Sequence, residues 1–508
     1  VSSADFIKLS ALQILSNLEG LIVSSAFNPV QEFSNLSCST STITSDCIFV
    51  AVIGAKTDGH LFIDEALKLG ATGFVVSDKQ KFDQLSAQNI NVILVTDTRK
   101  ALSKLAYCFT DKAADKLSII GVTGTNGKTT THWMIDSLLK LSGKRTARLG
   151  TIGAQIDNQI IDSSLTTPDP IWLHSFFAQC VKNNIQYVTM EVSSHALDQA
   201  RVEDIRFSVA AFTNLSRDHL DYHNDMTSYA KAKCHLFDLV KSNSNGQKIA
   251  VINLDNEWSN FFVEYAANCG CEVNGYSKTK DAKIRCVNLK STPQGSQFDL
   301  VFDSNTYKIN SDFIGEYNIE NLLTAIGVVV NLGIDPKKVA SLVENIPQVP
   351  GRLERCSKNS PIGVFVDYSH TPDALLSALK ALRPICDGKL WVIFGCGGDR
   401  DKGKRPLMLN AAKEIADLIM VTSDNPRTED PKQIIDDILS VDNKSAVNET
   451  TNILVEVDRK KAILQVLSKA KPTDVVLVAG KGHEDYQIIG TQKIFFSDQK
   501  IVEEYFSK

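Results

Sequence analysis

Short apolar runs alternating with amphipathic stretches recur along almost the whole chain, and their order predicts an α/β protein in three parts. Up to Lys112, helix-like patterns are followed by brief β-rich runs from Ile48 to Ile53 and from Gly73 to Val76. Residues 1–112 therefore read as a small α/β domain. Leu117 to Val122 is an apolar run that ends in a glycine-rich turn, and a helical pattern follows from Thr129 to Leu141, stopped by Gly143. Strand candidates at Tyr187 to Val192 and Val209 to Thr213, with helix-like spacing around them, predict a mostly parallel sheet covered on both faces. Between Ala282 and Phe313 the period drops to two. Stretches around Ile284 to Val287 and Phe298 to Phe302, parted by Pro293 and Gly295, predict antiparallel strands appended to that sheet. A helix-like stretch from Ile319 to Leu332 leads to the proline-containing segment Ile346 to Gly351, which closes a second domain over 113–348. Residues 349–508 alternate again, with strands expected at Leu390 to Phe394, Leu418 to Ser423, Ile453 to Val457 and Val475 to Ala479. That is the pattern of a Rossmann-like α/β domain.

The length agrees: at roughly 150 residues per domain, 508 residues suggest about three. Apolar residues at 43% and charged residues at 22% are the balance of a folded globular chain. A net charge of -5 offers no general attraction to nucleic acid or to an anionic membrane, so small-molecule substrates are expected. Eleven scattered cysteines without a CxxC pair suggest neither a disulfide framework nor a zinc site. No signal-peptide pattern opens the sequence and no apolar run approaches the roughly 18 residues a membrane span needs, so a cytoplasmic monomer is expected.

The strongest local chemistry lies in Gly121-Val122-Thr123-Gly124-Thr125-Asn126-Gly127-Lys128-Thr129-Thr130. Glycines let backbone N–H groups turn toward phosphate oxygens, Lys128 supplies a cation, and the Thr129 hydroxyl can reach a Mg²⁺ ion. Val122 stands where the strict phosphate-loop spacing has its first glycine, and Gly121 lies one residue early. Such a loop alone does not separate a kinase, a switch GTPase, a motor and a ligase. A guanine-reading motif is not evident, because Asn443-Lys444-Ser445 is followed by Ala446.

The loop variant Thr123 to Thr129 resembles that of the Mur ligase family, and further blocks follow in the family's order. They are Thr166-Thr167-Pro168, Met190 to His195, Asn214 to His223, Gly315 to Asn318, Pro350 to Glu354 and Val366 to Pro372. Phe394 to Pro406, Asp424-Asn425-Pro426-Arg427 and Gly480 to Glu484 resemble the branch that adds the third peptide residue. The likeness covers about Phe49 to the C-terminus. It implies an N-terminal UDP-binding domain, a central ATPase and a C-terminal domain that closes over the site. It also implies ATP as co-substrate, with a UDP-muramoyl dipeptide carboxylate activated as an acyl phosphate and captured by the amine of meso-diaminopimelate. The product belongs to peptidoglycan precursor synthesis.

Residue by residue, the resemblance gives ATP contacts to Gly124, Thr125, Asn126, Gly127, Lys128, Thr129, Thr130, Asn318, Arg352 and Asp367, with Arg352 directed at the terminal phosphate. Two Mg²⁺ ions are implied, held by Thr129, Glu191, His219 and Lys233. An ammonium cannot ligate a metal, so Lys233 enters as the carbamate formed with CO₂. Lys128, Lys233, His219 and Arg352 are the catalytic set. Thr40, Ala55, Lys56, Thr57, Thr166, Thr167, Ser193, Gln199 and Arg201 match positions for the UDP-muramoyl peptide. Where relatives carry Asp-Ser-Arg before the uridine strand, this chain has Ser39-Thr40-Ser41, which keeps a hydroxyl and loses both charges. Diaminopimelate falls to Arg400, Asp424, Asn425, Pro426, Arg427, Gly480 and Glu484. Its distal carboxylate, absent from lysine, calls for a cation, and the Arg427 guanidinium suits it through paired hydrogen bonds. The same ligase using L-lysine, a folate polyglutamate synthase and a non-catalytic nucleotide switch are the alternatives.

Overall fold

The computed structural model describes residues 6–54, 57–163, 165–242, 246–356, 360, 362–440 and 452–507. The chain divides into two compact units. The first comprises 1–284 with 323–335, and the second 285–322 with 336–508.

The first unit holds two sheets. The N-terminal one runs Ile22–Ala26, Asn91–Val95, Ala71–Val76, Cys47–Val50, Asn35–Ser37, and every neighbouring pair except the first is parallel. Alternate residues feed opposite faces, as a pleat requires. Val75, Ile93 and Val95 pack with Ala101, Leu102 and Leu105 of the helix Thr98–Phe109. Phe74, Val76, Val92 and Leu94 pack with Ile63 and Phe82 from helices on the other face. The run read as Ile48 to Ile53 ends early, at Val50. There Val52 N–H bonds back to the Val50 carbonyl and Gly54 N–H to that of Thr57, so the chain turns out of the sheet.

The second sheet of this unit runs Gln159–Ile161, Gly153–Ile156, Thr146–Gly150, Tyr187–Glu191, Ser118–Thr123, Val209–Phe212, Lys248–Asn253, Cys271–Ser277. From Thr146–Gly150 onward it is parallel. Gly153–Ile156 and Gln159–Ile161 extend it as antiparallel strands, which periodicity did not reveal. Register pairs Glu191 with Val122 and Phe212 with Thr123, so three neighbouring strands end together. Loops at the carboxyl ends of parallel strands are where such sheets take ligands.

The second unit contains Gly295–Phe302 and Asn305–Ser311 as an antiparallel pair, in the region read as antiparallel, and a separate six-stranded sheet. That sheet runs Glu354–Arg355, Gly363–Asp367, Val475–Ala479, Leu390–Phe394, Leu418–Val421, Asn452–Val455 and is parallel apart from its first strand. Val366, Val476, Val478 and Ile393 line one face, and Phe365, Leu477, Val392 and Val421 the other. A buried ion pair, Arg459 Nη2 to Asp498 Oδ2 at 2.7 Å, ties two helices over the first face, and Arg459 also donates to the Ala479 carbonyl at 2.9 Å. Among the described residues no helix is long and apolar enough to cross a membrane.

Candidate active site

The helix Lys128–Leu141 starts at Gly127, whose φ of 84° belongs to the left-handed region and whose missing side chain leaves the helix end without a side-chain cap. Its first turn thus presents N–H donors and the positive end of the helix dipole. Not all of the loop's N–H groups point to a ligand. Thr125 N–H donates to the Asn214 carbonyl at 2.8 Å, and Asn126 N–H to Asn214 Oδ1 at 3.0 Å. Asn214 Nδ2 returns a bond to the Asn126 carbonyl at 3.1 Å, and the Thr213 hydroxyl donates to the same oxygen at 2.6 Å. The loop is therefore pre-shaped by the segment after Val209–Phe212. Gly124 is required there, since a Cβ would lie 1.9 Å from Thr213 Oγ1.

Two lysines meet at the Gly124 carbonyl. Lys128 Nζ donates to it at 3.0 Å and to the Thr125 carbonyl at 2.8 Å, while Lys233 Nζ donates to it at 2.8 Å. Lys233 is 1% exposed. Burial, then the neighbouring Lys128 charge, pushes its pKa well below the usual lysine range, against a smaller opposing pull from Asp218. Both causes disfavour the ammonium form of this side chain. It lies 4.5 Å from the ring centre of Tyr229, one turn earlier on the helix Met226–Asp238, and the Tyr229 hydroxyl is 3.2 Å from that of Thr125. His219 reaches the same cluster through rings. Its centroid is 6.0 Å from Tyr229 and 4.9 Å from His195. It has a φ of 52° and is held by Asp218, whose Oδ1 accepts from the His219 N–H at 2.8 Å.

Glu191 is the other buried centre, 1% exposed at the end of Tyr187–Glu191. Its carboxylate accepts from the Thr129 hydroxyl at 3.0 Å, from Thr151 N–H at 2.7 Å and from the Thr151 hydroxyl at 3.2 Å. His132 Nδ1 lies 3.5 Å away, and burial lowers the pKa of that imidazole against an opposing pull from Glu191. Among the described residues no three His, Cys, Asp or Glu side chains gather to hold a metal by themselves. A hydroxyl beside one buried carboxylate nonetheless fits Mg²⁺, which commonly takes one or two carboxylates and completes its shell with water and phosphate oxygens. Thr130 is buried in the same first turn. The Thr151 hydroxyl continues to Thr166 Oγ1 at 3.1 Å. Thr167 Oγ1 donates to the Glu191 carbonyl at 2.9 Å and accepts from Ser193 N–H at 3.2 Å. Arg201 closes the chain, donating to the Thr167 carbonyl at 2.8 Å and to Gln199 Oε1. Four of the residues matched to the muramoyl peptide, Thr167, Ser193, Gln199 and Arg201, thus form one hydrogen-bonded ledge beside Glu191, with Thr166 at its edge.

Thr40 opens a short 3₁₀ turn capped by Ser39, and Thr57 is exposed, its carbonyl accepting from Gly54 N–H at 2.9 Å. Ala55 and Lys56 lie outside the described residues.

In the second unit, Asp367 ends the strand Gly363–Asp367. Its carboxylate accepts from Leu353 N–H at 2.8 Å and Ser369 N–H at 2.9 Å, which fixes the turn carrying Arg352. The Arg352 guanidinium sits 5.1 Å from the Tyr368 ring centre. Asn318 is 1% exposed, its amide donating to the Ile314 carbonyl at 3.0 Å. Farther along, Asp424, Asn425, Pro426 and Arg427 follow the strand Leu418–Val421, and Gly480 to Glu484 follow Val475–Ala479. Asn425 Nδ2 donates to Glu484 Oε2 at 3.0 Å. Arg427 has a φ of 51° and donates to the Gly398 carbonyl at 2.8 Å, so its fork is aimed by backbone. Arg400 is exposed and donates to the Asp399 carbonyl at 3.1 Å. Lys481, fully buried among these groups, escaped the reading of the sequence, as did Thr151, His132 and Tyr229. Tyr229 had a signal, since it stands four residues before Lys233 on one helix face.

Three family models match in succession: "Mur ligase family, catalytic domain" over 32–110, "Mur ligase middle domain" over 122–329 and "Mur ligase, glutamate ligase domain" over 351–482. The chain is 42% identical over 481 residues to a UDP-N-acetylmuramoyl-L-alanyl-D-glutamate--2,6-diaminopimelate ligase of Gloeobacter violaceus, covering 94% of this chain and 95% of that protein. A solved structure of a ligase of that description superposes with a TM-score of 0.73 at 32% identity, covering 99% of both chains. A folylpolyglutamate synthase of Mycobacterium tuberculosis, complexed with ADP and AMPPCP, shares the fold at 19% identity with a TM-score of 0.60, over 75% of this chain and 92% of that one.

Proposed function

The chain belongs to the Mur ligase family, and from that premise we propose that it joins meso-2,6-diaminopimelate to UDP-N-acetylmuramoyl-L-alanyl-D-glutamate at the expense of ATP, releasing ADP and phosphate. The γ-phosphoryl group passes to the glutamyl carboxylate, giving an acyl phosphate. The diaminopimelate amine then attacks the acyl carbon, loses a proton and expels phosphate. Phosphates and carboxylate are all anionic, so positioned cations and N–H donors lower the barrier. Lys128 and the uncapped helix start meet the nucleotide's phosphates, with Gly124, Thr125, Asn126, Gly127, Thr129 and Thr130 shaping the loop. In the second unit Asn318, Arg352 and Asp367 are assigned to the nucleotide. Mg²⁺, when bound, supplies charge neutralisation for the phosphates, and Thr129 and Glu191 would hold one ion. His219 and Lys233 are assigned to a second.

The observation that carries this reading is Lys233, buried with its Nζ at the Gly124 carbonyl, where burial and the neighbouring Lys128 disfavour the ammonium form. Only an unprotonated amine adds CO₂, and addition followed by loss of a proton gives a carbamate whose oxygens can serve a hard cation. The hydroxyl ledge from Thr166 to Arg201 suits the muramoyl peptide, and Thr40 with the Ala55-Lys56-Thr57 loop is assigned to its UDP end. Diaminopimelate is assigned to Arg400, Asp424 to Arg427, Gly480 and Glu484, with Arg427 gripping the distal carboxylate. The three-part division at 112 and 348 goes with these assignments and is supported by the three successive family matches.

The test is phosphate release by the purified protein with ATP, Mg²⁺ and UDP-muramoyl-alanyl-glutamate, comparing meso-diaminopimelate with L-lysine. Release that needs both the nucleotide-sugar peptide and diaminopimelate is expected. Equal rates with lysine, or release with neither acceptor, overturns the reading.

A further inference from the structure

Lysine is the residue least often buried without a partner, because its ammonium is strongly hydrated and its stem flexible. Lys481 is nevertheless fully buried, between two glycines with φ of 113° and 54° at the end of Val475–Ala479. Its Nζ lies 3.1 Å from Asn425 Oδ1, 3.5 Å from Asp424 Oδ1 and 3.5 Å from Glu484 Oε2. The Tyr486 ring centre is 5.7 Å away. Asp424 and Asn425 are also fixed from another side, the first through its backbone and the second through its side chain. Asn425 Oδ1 accepts from Ile488 N–H at 2.9 Å, and the Asp424 carbonyl accepts from Gln487 Nε2 at 2.6 Å. Asn425 Nδ2 donates to Glu484 at 3.0 Å. One ammonium thus sits at the centre of three groups drawn from two strand ends 57 residues apart.

We infer that Lys481 is the positioning residue of the acceptor pocket: its buried ammonium holds Asp424, Asn425 and Glu484 in the one arrangement that receives the amino group of the incoming amino acid. The inference rests on the assignment of that pocket to diaminopimelate. Charge counting gives it content. Two carboxylates against one lysine leave a single negative charge, since the nearby Arg459 is already balanced by Asp498; that charge matches one ligand ammonium, and Arg427 beside them supplies a positive charge for a carboxylate. Without Lys481 the carboxylates of Asp424 and Glu484 would lose the counter-charge that both of them face, and the match would be lost.

Lys481→Met keeps the length of the side chain and removes the charge, and Lys481→Arg keeps the charge but replaces the compact donor by a planar fork. Steady-state kinetics with each substrate varied in turn separates the possibilities. For Lys481→Met the KM for diaminopimelate is expected to rise at least roughly 30-fold, the low end for truncating one partner of a buried charge pair, and for Lys481→Arg it should rise as well because the fork displaces the groups that the compact ammonium holds. The KM values for ATP and the muramoyl dipeptide should stay within about twofold. If Lys481→Met does not fold, Lys481→Arg carries the same test. A uniform loss in all three KM values, or an unchanged diaminopimelate KM, overturns the role of Lys481. The unaltered enzyme assayed alongside reads the functional assignment separately, for a failure of diaminopimelate to stimulate release there sinks that assignment.

Discussion

Gly150 ends the strand Thr146–Gly150 directly beneath Glu191, and alanine there tests whether the carboxylate's position governs magnesium use. The added Cβ would stand 2.2 Å from Glu191 Oε1 and 2.8 Å from His132 Cε1, too close for either atom to stay. Glu191 cannot swing into solvent at no cost, being 1% exposed and held by the hydroxyls of Thr129 and Thr151 and the Thr151 N–H. Overpacking together with one lost hydrogen bond to a charged group should cost about 2.5–6 kcal/mol. Displacing Glu191 from Thr129 should raise the Mg²⁺ concentration for half-maximal phosphate release roughly tenfold or more. Gly153→Ala is the control. Its φ of 89° is unfavourable for alanine, at about 1–2 kcal/mol, yet nothing lies within 4 Å of the new Cβ. That variant should lose some stability while keeping its Mg²⁺ requirement. Chemical denaturation and Mg²⁺ titration of both proteins decide the matter. An unchanged Mg²⁺ requirement in Gly150→Ala, or an equal rise in Gly153→Ala, refutes the reasoning.

Lys233→Ala should abolish ligation and be partly rescued by short carboxylic acids, whereas the exposed Lys231→Ala should need no rescue; equal rescue of the two variants contradicts the carbamate assignment. Arg427→Ala should raise the diaminopimelate KM by tens to thousands-fold, the equivalent of about 2–5 kcal/mol for a buried charge partner, and narrow the preference over lysine; retained preference in competition assays rejects it. His174 is fully buried near Tyr107 and Phe177, with neither ring nitrogen hydrogen-bonded among the described residues, and burial lowers its pKa to about 3. Its folded pKa lies below the unfolded value, so its stabilising share is complete above about pH 6.5 and drains away as pH falls toward about 3, amounting to about 2 kcal/mol lost by pH 5. His174→Phe should remove that slope, and urea midpoints at pH 5 and 8 that fall as steeply as in the unaltered protein would show the slope lies elsewhere.

What the sequence disclosed and what it withheld divide along physical lines. The phosphate loop was legible because strand, glycines, lysine and helix follow one another within a dozen residues, and local backbone geometry suffices to aim them. Glu191 was legible as a strand end, since parallel strands deliver their last residues to one edge. Its restraints were not, because Thr151 reaches it across 40 residues and through a strand register that hydrophobic period alone leaves open. The antiparallel pair Gly153–Ile156 and Gln159–Ile161 was missed for a related reason, being short and partly exposed at a sheet edge where burial imposes little pattern. Lysines show the limit most sharply. Lys128, Lys231, Lys233 and Lys481 are the same residue in sequence, and a lysine is by default a solvated cation. Only tertiary structure separates them: Lys231 remains in water, Lys128 bonds to carbonyls of its own loop, Lys233 has its ammonium form disfavoured by burial and by Lys128, and Lys481 is enclosed by Asp424, Asn425 and Glu484. The chemistry proposed here uses those differences in surroundings, so it depends on the packing that creates them as much as on the residues themselves.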